Sequence, residues 1–216
     1  MIVLIPSFEP DQRLVRLVED LDHVPGVRVL VVDDGSGPAF ASVFAAARRA
    51  GAQVLTHEAN RGKGAALRTG FDHVLAHHRG EPVICADSDG QHQLIDILRV
   101  GAALDEGSDL VLGVRRFIGT DTDPVRVPLR SRLGNAITAG VFSVFTGTRL
   151  RDTQTGLRGY RHHLLPWALA VPGDRFEYEL NLLLQATRDR IAIRQVEIAR
   201  EIAAYERPFR RPVAPD

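Results

Sequence analysis

The sequence predicts an α/β protein with a mostly parallel sheet covered by helices on both faces. Short apolar runs rich in β-branched residues alternate with longer stretches of helical period, which is typical of that architecture. The 216 residues, 44% of them hydrophobic, suffice for one domain with a substantial core. The single cysteine, Cys85, lies in an apolar run, which excludes an intrachain disulfide and fits a reducing compartment.

The expected elements follow one another in order. Strands are expected at 2–5, 27–32, 54–55, 83–85 and 110–114, and helices at 11–22, 39–50, 64–78 and 93–104. The pattern then changes to a long Gly- and Pro-containing loop over 117–130, a helix over 131–146, a turn-rich segment over 151–160 and a helix over 176–188. We expect one folded domain over 1–205 and a basic, proline-rich tail over 206–216.

Charge and hydropathy restrict the class of partner and the location. Lys plus Arg equals Asp plus Glu, at 27 each, so the overall charge does not indicate a nucleic-acid partner. The apolar N-terminus is broken by Pro6, and no run of about 18 apolar residues could span a bilayer. We therefore expect a cytoplasmic protein, at most peripheral at the inner face of the cell membrane.

The ends of the predicted strands carry the polar residues. Open α/β sheets bind their ligands outside the carboxyl ends of the strands. Those ends are followed by the segments PSFE (6–9), DDGS (33–36), NRGKG (60–64) and DSDGQ (87–91). The glycines of DDGSG do not match a dinucleotide fingerprint, because Phe40 stands where its third glycine belongs, and NRGKG lacks the spacing of a phosphate loop.

The acidic residues at these ends predict a metal–nucleotide site. Asp87 and Asp89 stand ~7 Å apart along the chain, and hard oxygen ligands suit Mg²⁺ or Mn²⁺. Asp34 could accept hydrogen bonds from a base edge or a ribose hydroxyl. Each acidic segment alone could equally be a plain turn or a helix cap. Their occurrence at successive strand ends, with Arg61 and Lys63 between them, favours the site.

These segments resemble a known family. IPSFE (5–9), VVDDGS (31–36), NRGKG (60–64) and ADSDGQH (86–92) are similar to the successive motifs of family 2 glycosyltransferases with the A-type nucleotide-sugar fold. GVRR (113–116), RSRLGN (130–135) and DTQTGLRGY (152–160) resemble the polyprenyl-phosphate hexose synthases of the dolichol-phosphate mannose synthase type. The resemblance extends over about residues 1–200, in the same order and spacing.

The resemblance implies a role for individual residues. The donor nucleotide-sugar would be bound by Pro6, Phe8, Glu9, Asp34, Lys63, Asp87, Ser88, Gln154 and Thr155. Mg²⁺ or Mn²⁺ would be held by Asp87, Asp89 and Gln91. The expected catalytic residues are Asp89, Arg115 and Asp152. An acceptor phosphate would be held by Arg115, Arg130, Ser131 and Arg132, and one of Glu177 and Glu179 would contact the sugar or the acceptor.

The chemistry of the transfer favours one class of acceptor. A hydroxyl acceptor needs a general base near its proton, whereas a phosphate acceptor already carries charge at neutral pH. No Glu-Asp pair stands out downstream as the base for a hydroxyl, and Asp152 is the best candidate if a base is needed. The sequence therefore predicts metal-dependent, inverting transfer of a hexose from a UDP- or GDP-hexose to a polyprenyl phosphate.

Alternative functions and partners remain open at this point. The acceptor could be a hydroxyl of a soluble molecule, a protein or a glycan. A nucleotidyltransferase is a further alternative, although it would call for a glycine-rich basic loop after the first strand. Relatives that act on lipids commonly continue into transmembrane helices. No such segment is visible here, so membrane contact would come from the helix at 131–146, the basic tail or a separate membrane-protein partner.

Overall fold

The computed structural model describes residues 1–115 and 150–198. Within these ranges the strands are β1 Ile2–Ser7, β2 Arg28–Asp33, β3 Gln53–Thr56, β4 Val83–Cys85, β5 Leu110–Arg115, β6 Arg158–Tyr160 and β7 Ile193–Ile198. They form one sheet in the order β3-β2-β1-β4-β6-β5-β7. Neighbouring strands are parallel except at β6, which runs antiparallel to both β4 and β5.

Helices cover both faces of this sheet, which confirms the predicted fold class. They are α1 Gln12–Asp22, α2 Ala41–Arg49, α3 Lys63–His77, α4 Leu94–Asp105, α5 Leu165–Ala170 and α6 Glu177–Arg188. Successive side chains of a strand point to opposite faces. In β1, Val3 and Ile5 pack with α1, α2 and α4, whereas Ile2 and Leu4 pack with α3, α5 and α6. A strand with helices on both sides is apolar at nearly every position, as the sequence of β1 is.

The first five strands and the first four helices agree with the sequence-based expectation to within about two residues at most of their ends. Asp11, expected inside the first helix, is its N-cap, since its carboxylate accepts a hydrogen bond from the Arg13 N–H at 2.8 Å. No helix within 1–115 or 150–198 is long and apolar enough to cross a membrane.

The second half departs from the expectation. The segment expected to be turn-rich contains β6, and β7 and α5 were not predicted at all. The three residues of β6 include a glycine and an arginine and form no apolar run, so local pattern gave no indication of a strand. The predicted loop at 117–130, the helix at 131–146 and the tail at 206–216 lie outside the described residues.

Candidate active site

The loop after β3 is held in place by Asp34. This carboxylate is only 3% exposed. Its Oδ1 accepts a hydrogen bond from the Arg61 N–H at 2.9 Å, and its Oδ2 accepts one from the Gly62 N–H at 2.8 Å. The ring Nδ1 of His57 lies 2.7 Å from Oδ1. The residue predicted to contact the base or ribose therefore makes three hydrogen bonds inside the protein, and these fix the NRGKG segment.

The turn after β2 packs its backbone directly on this loop. Gly35 has a φ of +74°, and a Cβ at this position would lie 2.3 Å from the carbonyl carbon of Ala59. Only glycine has both the conformation and the space for such a contact. The Ser36 hydroxyl also accepts a hydrogen bond from the Glu9 N–H at 2.9 Å. The turns after β1, β2 and β3 are thus joined to one another at the carboxyl edge of the sheet.

Two of the predicted donor-site residues, one inside β1 and one just after it, differ in their accessibility to solvent. Pro6 is buried within β1, where it pairs with Val32 of β2. The Phe8 side chain, beyond the strand, is 47% exposed. An exposed aromatic ring at the carboxyl edge of a sheet is available to a ligand, whereas the buried Pro6 side chain is not.

A buried ammonium group lies between two acidic residues at the same edge. The Nζ of Lys63, the first residue of α3, is 2.6 Å from Asp87 Oδ1 and 2.7 Å from Glu179 Oε2. Burial opposes the charge on Lys63, but the charges and hydrogen bonds of the two carboxylates outweigh it and raise the pKa of the lysine. Lys63 therefore joins three elements, because Asp87 follows β4 and Glu179 lies in the first turn of α6.

Asp87 is held as a carboxylate in spite of its burial. Burial would raise the pKa of Asp87, but the hydrogen bond with His92 and the charge of Lys63 hold that pKa well below its usual range. The His92 Nε2 lies 3.4 Å from Asp87 Oδ2, so this side chain, just before α4, is turned toward the acid. A Cβ on Gly156 would lie 2.2 Å from Asp87 Oδ2, which shows how closely the 152–157 segment approaches this carboxylate.

Asp89 and Gln91 are hydrogen-bonded to each other in a turn close to Asp87 in the sequence. The Asp89 carboxylate accepts hydrogen bonds from the Gln91 backbone N–H at 3.0 Å and from its side-chain amide at 2.6 Å. Ser88, between the two acids, is half-buried. In the described part of the chain no three His, Cys, Asp or Glu side chains are gathered around one metal position. Asp87 and Asp89 nevertheless fit a divalent ion that takes its other ligands from phosphate and water, because ionised carboxylates are the ligands that Mg²⁺ prefers.

Arg115 and Asp152 form a two-point ion pair. Arg115 Nε donates to Asp152 Oδ2 at 2.6 Å, and its Nη2 donates to Oδ1 at 3.0 Å. Asp152 is 0% exposed, and its Oδ1 also accepts the Gln154 N–H at 3.1 Å. The Arg115 side chain is 27% exposed. This placement favours Asp152 as the residue that orients Arg115 and argues against the general-base role considered from the sequence.

Arg158 links the 152–157 segment to α6. This arginine of β6 is 2% exposed. Its Nε donates to the Thr155 carbonyl at 3.1 Å, its Nη2 to the Thr153 carbonyl at 3.4 Å, and its Nη1 to the Glu179 carbonyl. Its Nε also lies 3.9 Å from Glu179 Oε1. Arg158 belongs to a predicted motif but was assigned no role there. His57 was not among the predicted site residues.

The remaining candidates are placed as follows. The Thr155 hydroxyl is buried and accepts the Leu157 N–H at 3.2 Å, and Gln154 is exposed. Glu177 is exposed and accepts two backbone N–H groups just before α6, at 3.1 Å each. Glu179 is close to Lys63, whereas Glu177 serves the start of its own helix. Arg130, Ser131 and Arg132 lie outside the described residues.

The comparison with protein families identifies the chain. Residues 2–165 match the family model described as Glycosyl transferase family 2. The chain belongs to glycosyltransferase family 2. This glycosyltransferase is 32% identical over 205 residues to a polyprenol monophosphomannose synthase of Mycolicibacterium smegmatis, a match that covers 91% of this chain and 76% of the relative. It is 30% identical over 164 residues to a dolichyl-phosphate hexose transferase of Haloferax volcanii. That match covers 76% of this chain and 67% of the relative.

Solved structures agree with this assignment. The glycosyltransferase superposes with a TM-score of 0.64 and 25% identity on the glucosyl-3-phosphoglycerate synthase of Mycobacterium tuberculosis in complex with Mn²⁺, UDP and glucosyl-3-phosphoglycerate. The match covers 92% of this chain and 69% of that one. The protein is therefore a glycosyltransferase with the A-type fold, and the carboxyl edge of its sheet is the candidate active site.

Proposed function

We propose that the enzyme transfers a hexose from a nucleotide-sugar, UDP- or GDP-linked, to a polyprenyl phosphate, with inversion at the anomeric carbon. The relatives named above support this acceptor class, because one is a polyprenol monophosphomannose synthase and another a dolichyl-phosphate hexose transferase. A position at the inner face of the cell membrane belongs to the same proposal, since the lipid acceptor resides in a membrane.

The observation that carries the proposal is the ion pair between Arg115 and Asp152. A hydroxyl acceptor would need a base, and Asp152 is the carboxylate that the sequence offered for it. Its two oxygens accept hydrogen bonds from Arg115 and from the Gln154 N–H, and the side chain is fully buried. A phosphate acceptor needs no base, and a guanidinium held in a fixed orientation suits a phosphate.

The proposed step is a single displacement. An oxygen of the acceptor phosphate forms a bond to the anomeric carbon as the bond from that carbon to the diphosphate breaks, and the nucleoside diphosphate leaves with the electron pair. Lys63, close to Asp87, contributes a positive charge that would bind the diphosphate of the intact donor. Mg²⁺ or Mn²⁺ held by Asp87 and Asp89, with Gln91 beside them, would neutralise the charge that builds on the diphosphate.

A second candidate function is transfer to a hydroxyl of a soluble phosphorylated acid. The match to a glucosyl-3-phosphoglycerate synthase favours it, because that enzyme has the same fold and was solved with its glucosylated product. The two candidates share the donor site and differ in the acceptor alone. They can therefore be separated by supplying one donor and exchanging acceptors.

The deciding experiment incubates the protein with a radiolabelled UDP- or GDP-hexose panel and Mn²⁺ or Mg²⁺, with a short-chain polyprenyl phosphate or phosphoglycerate as acceptor. We expect label in the organic phase with the lipid, loss of it with EDTA, and a loss of at least about a hundredfold in Asp89→Asn. Asp105→Asn, an exposed acid at the end of α4, serves as the matched control with full activity.

Two results would contradict the proposal. Transfer to phosphoglycerate but not to the lipid, with any donor, would establish the second candidate. Lipid transfer that persists in EDTA and in Asp89→Asn would instead remove the metal from the mechanism while leaving the acceptor class in place.

A further inference from the structure

A buried histidine lies behind the loop that carries Lys63. His57 follows β3 directly and is 8% exposed. Its Nδ1 is 2.7 Å from Asp34 Oδ1, and its Nε2 is 2.9 Å from the Thr69 hydroxyl in α3. Both ring nitrogens are thus bound in the protein interior, and the ring joins the turn after β2 to α3.

The partners of Asp34 fix the tautomer of this ring. Asp34 accepts backbone N–H groups on both of its oxygens, from Arg61 on one and Gly62 on the other, which is the pattern of an ionised carboxylate. An ionised carboxylate only accepts hydrogen bonds, so the His57 Nδ1 carries the hydrogen. In the neutral ring Nε2 is then the acceptor for the hydroxyl of Thr69.

The hydrogen-bonded chain therefore runs from Thr69 through His57 and Asp34 to the backbone of the loop. Gly62, at the end of that chain, has a φ of +103°, and a Cβ there would lie 2.4 Å from the carbonyl oxygen of Asp174. The loop is confined on both sides. The residue after Gly62 is Lys63, so Asp34 holds the backbone from which the Lys63 side chain extends to Asp87.

We infer that His57 is a positioning residue for the donor site. Its Nδ1–H holds Asp34 in the one orientation that binds both the Arg61 and the Gly62 N–H, and this places Lys63 for the donor diphosphate. His57 itself touches no reacting atom. The inference rests on the proposed function only for the identity of the ligand, since the loop contacts are present in the protein without it.

Three variants separate the two ends of the ring. In His57→Asn the side-chain amide nitrogen takes the place of Nδ1 and can still donate to Asp34. In His57→Gln the amide reaches the place of Nε2 and leaves Asp34 without that donor. Thr69→Val removes the far partner alone and keeps the ring, so it provides a milder perturbation if His57→Gln folds poorly.

Two measurements are made on each variant. Hydrogen exchange of the ligand-free protein reports on the amides of Arg61 and Gly62, and steady-state kinetics gives donor KM and kcat. We expect His57→Gln to speed exchange at these amides and to raise donor KM about tenfold with kcat within about twofold, because positioning of a binding group acts on ground and transition states alike. His57→Asn should restore both values, and Thr69→Val should show a smaller change in the same direction.

The outcomes distinguish this inference from the proposed function. Unchanged exchange at Arg61 and Gly62 in His57→Gln, or equal behaviour of the Asn and Gln variants, overturns the inference. A fall in kcat without a change in KM also overturns it, because the ring would then act in the chemical step. If the unmodified protein transfers no hexose to a polyprenyl phosphate, the proposed function fails, and the exchange measurement still decides the role of His57.

Discussion

The two acidic turns of the active site, DDGS after β2 and DSDG after β4, look alike in the sequence and are used differently in the fold. Asp34 of the first is surrounded by hydrogen-bond donors of the protein, two of them backbone N–H groups. Asp87 of the second faces the ammonium group of Lys63 and the ring of His92, and its side chain is 27% exposed. The first carboxylate organises a loop, whereas the second is paired with charged side chains.

This difference has a physical origin. Backbone N–H groups are held in position by the fold, so a carboxylate that accepts hydrogen bonds from them is held in position as well. A lysine side chain has rotatable bonds, so the cation paired with Asp87 can be exchanged for another one. An acidic residue at a strand end is therefore a candidate metal ligand when its partner is a side chain, and a structural element when its partners are peptide groups.

The largest effect that tests this comparison is on stability. Asp34→Ala would leave the Arg61 and Gly62 N–H groups and the His57 ring without their acceptor in a buried place. We expect the free energy of unfolding to fall by about 3 kcal/mol, measured by urea denaturation. The sequence analysis predicted that Asp34 contacts the base or the ribose, and loss of that contact alone would raise donor KM without lowering stability. Unchanged stability with a raised donor KM would support that prediction. It would contradict the structural role that distinguishes Asp34 from Asp87.

A substitution next to Asp87 should act on activity instead. Gly156→Ala would bring a Cβ to 2.2 Å from Asp87 Oδ2, which forces the carboxylate to move. We expect kcat/KM for the donor to fall about tenfold, because small displacements of a charged group weaken its electrostatic interactions. The melting temperature should change less than in Asp34→Ala. Gly107→Ala strains a backbone with a φ of +108° in a distant turn and contacts nothing within 4 Å, so it should lower stability and leave donor kcat/KM unchanged.

The smallest effect concerns pH. Unfolded aspartate titrates near pH 3.8, and the folded pKa of Asp87 lies below that value. A depressed pKa stabilises the folded state fully above the unfolded pKa, and this stabilisation is lost as pH falls through the folded pKa. We expect Asp87→Asn to cost on the order of 1 kcal/mol at neutral pH and progressively less below about pH 4. The same measurement on Asp20→Asn, an exposed acid of α1, should show no such trend. A pH-independent cost of Asp87→Asn would show that its ion pair with Lys63 adds nothing to stability.

Much of the first half of the fold could be predicted because its information is local. Strands such as β1 and β2 are continuous apolar runs, and the helices between them have clear periodicity. The acidic and basic residues at the strand ends were likewise recognisable, since topology alone brings those ends together. The short β6 could not be predicted, because its place depends on pairing with β4 and β5 rather than on its own three residues.

The pairing of the charged residues could not be predicted either. Lys63 was assigned to the donor, but its partners Asp87 and Glu179 come from distant parts of the chain. Asp152 was considered as a base because nothing in its neighbourhood indicated that Arg115 would occupy both of its oxygens. His57 was overlooked because a single histidine after a strand has no distinctive pattern. In each case the deciding fact is a contact between residues far apart in sequence.

The ion pair between Arg115 and Asp152 also has a consequence for how the family can vary. These residues are 37 positions apart, and their pairing brings both ends of the intervening chain to one point beside the donor site. The two-point ion pair thereby anchors Arg115 and Asp152 to each other at the edge of the sheet. The contact between Arg115 and Asp152 can therefore be kept in relatives whose sequences differ between these two positions.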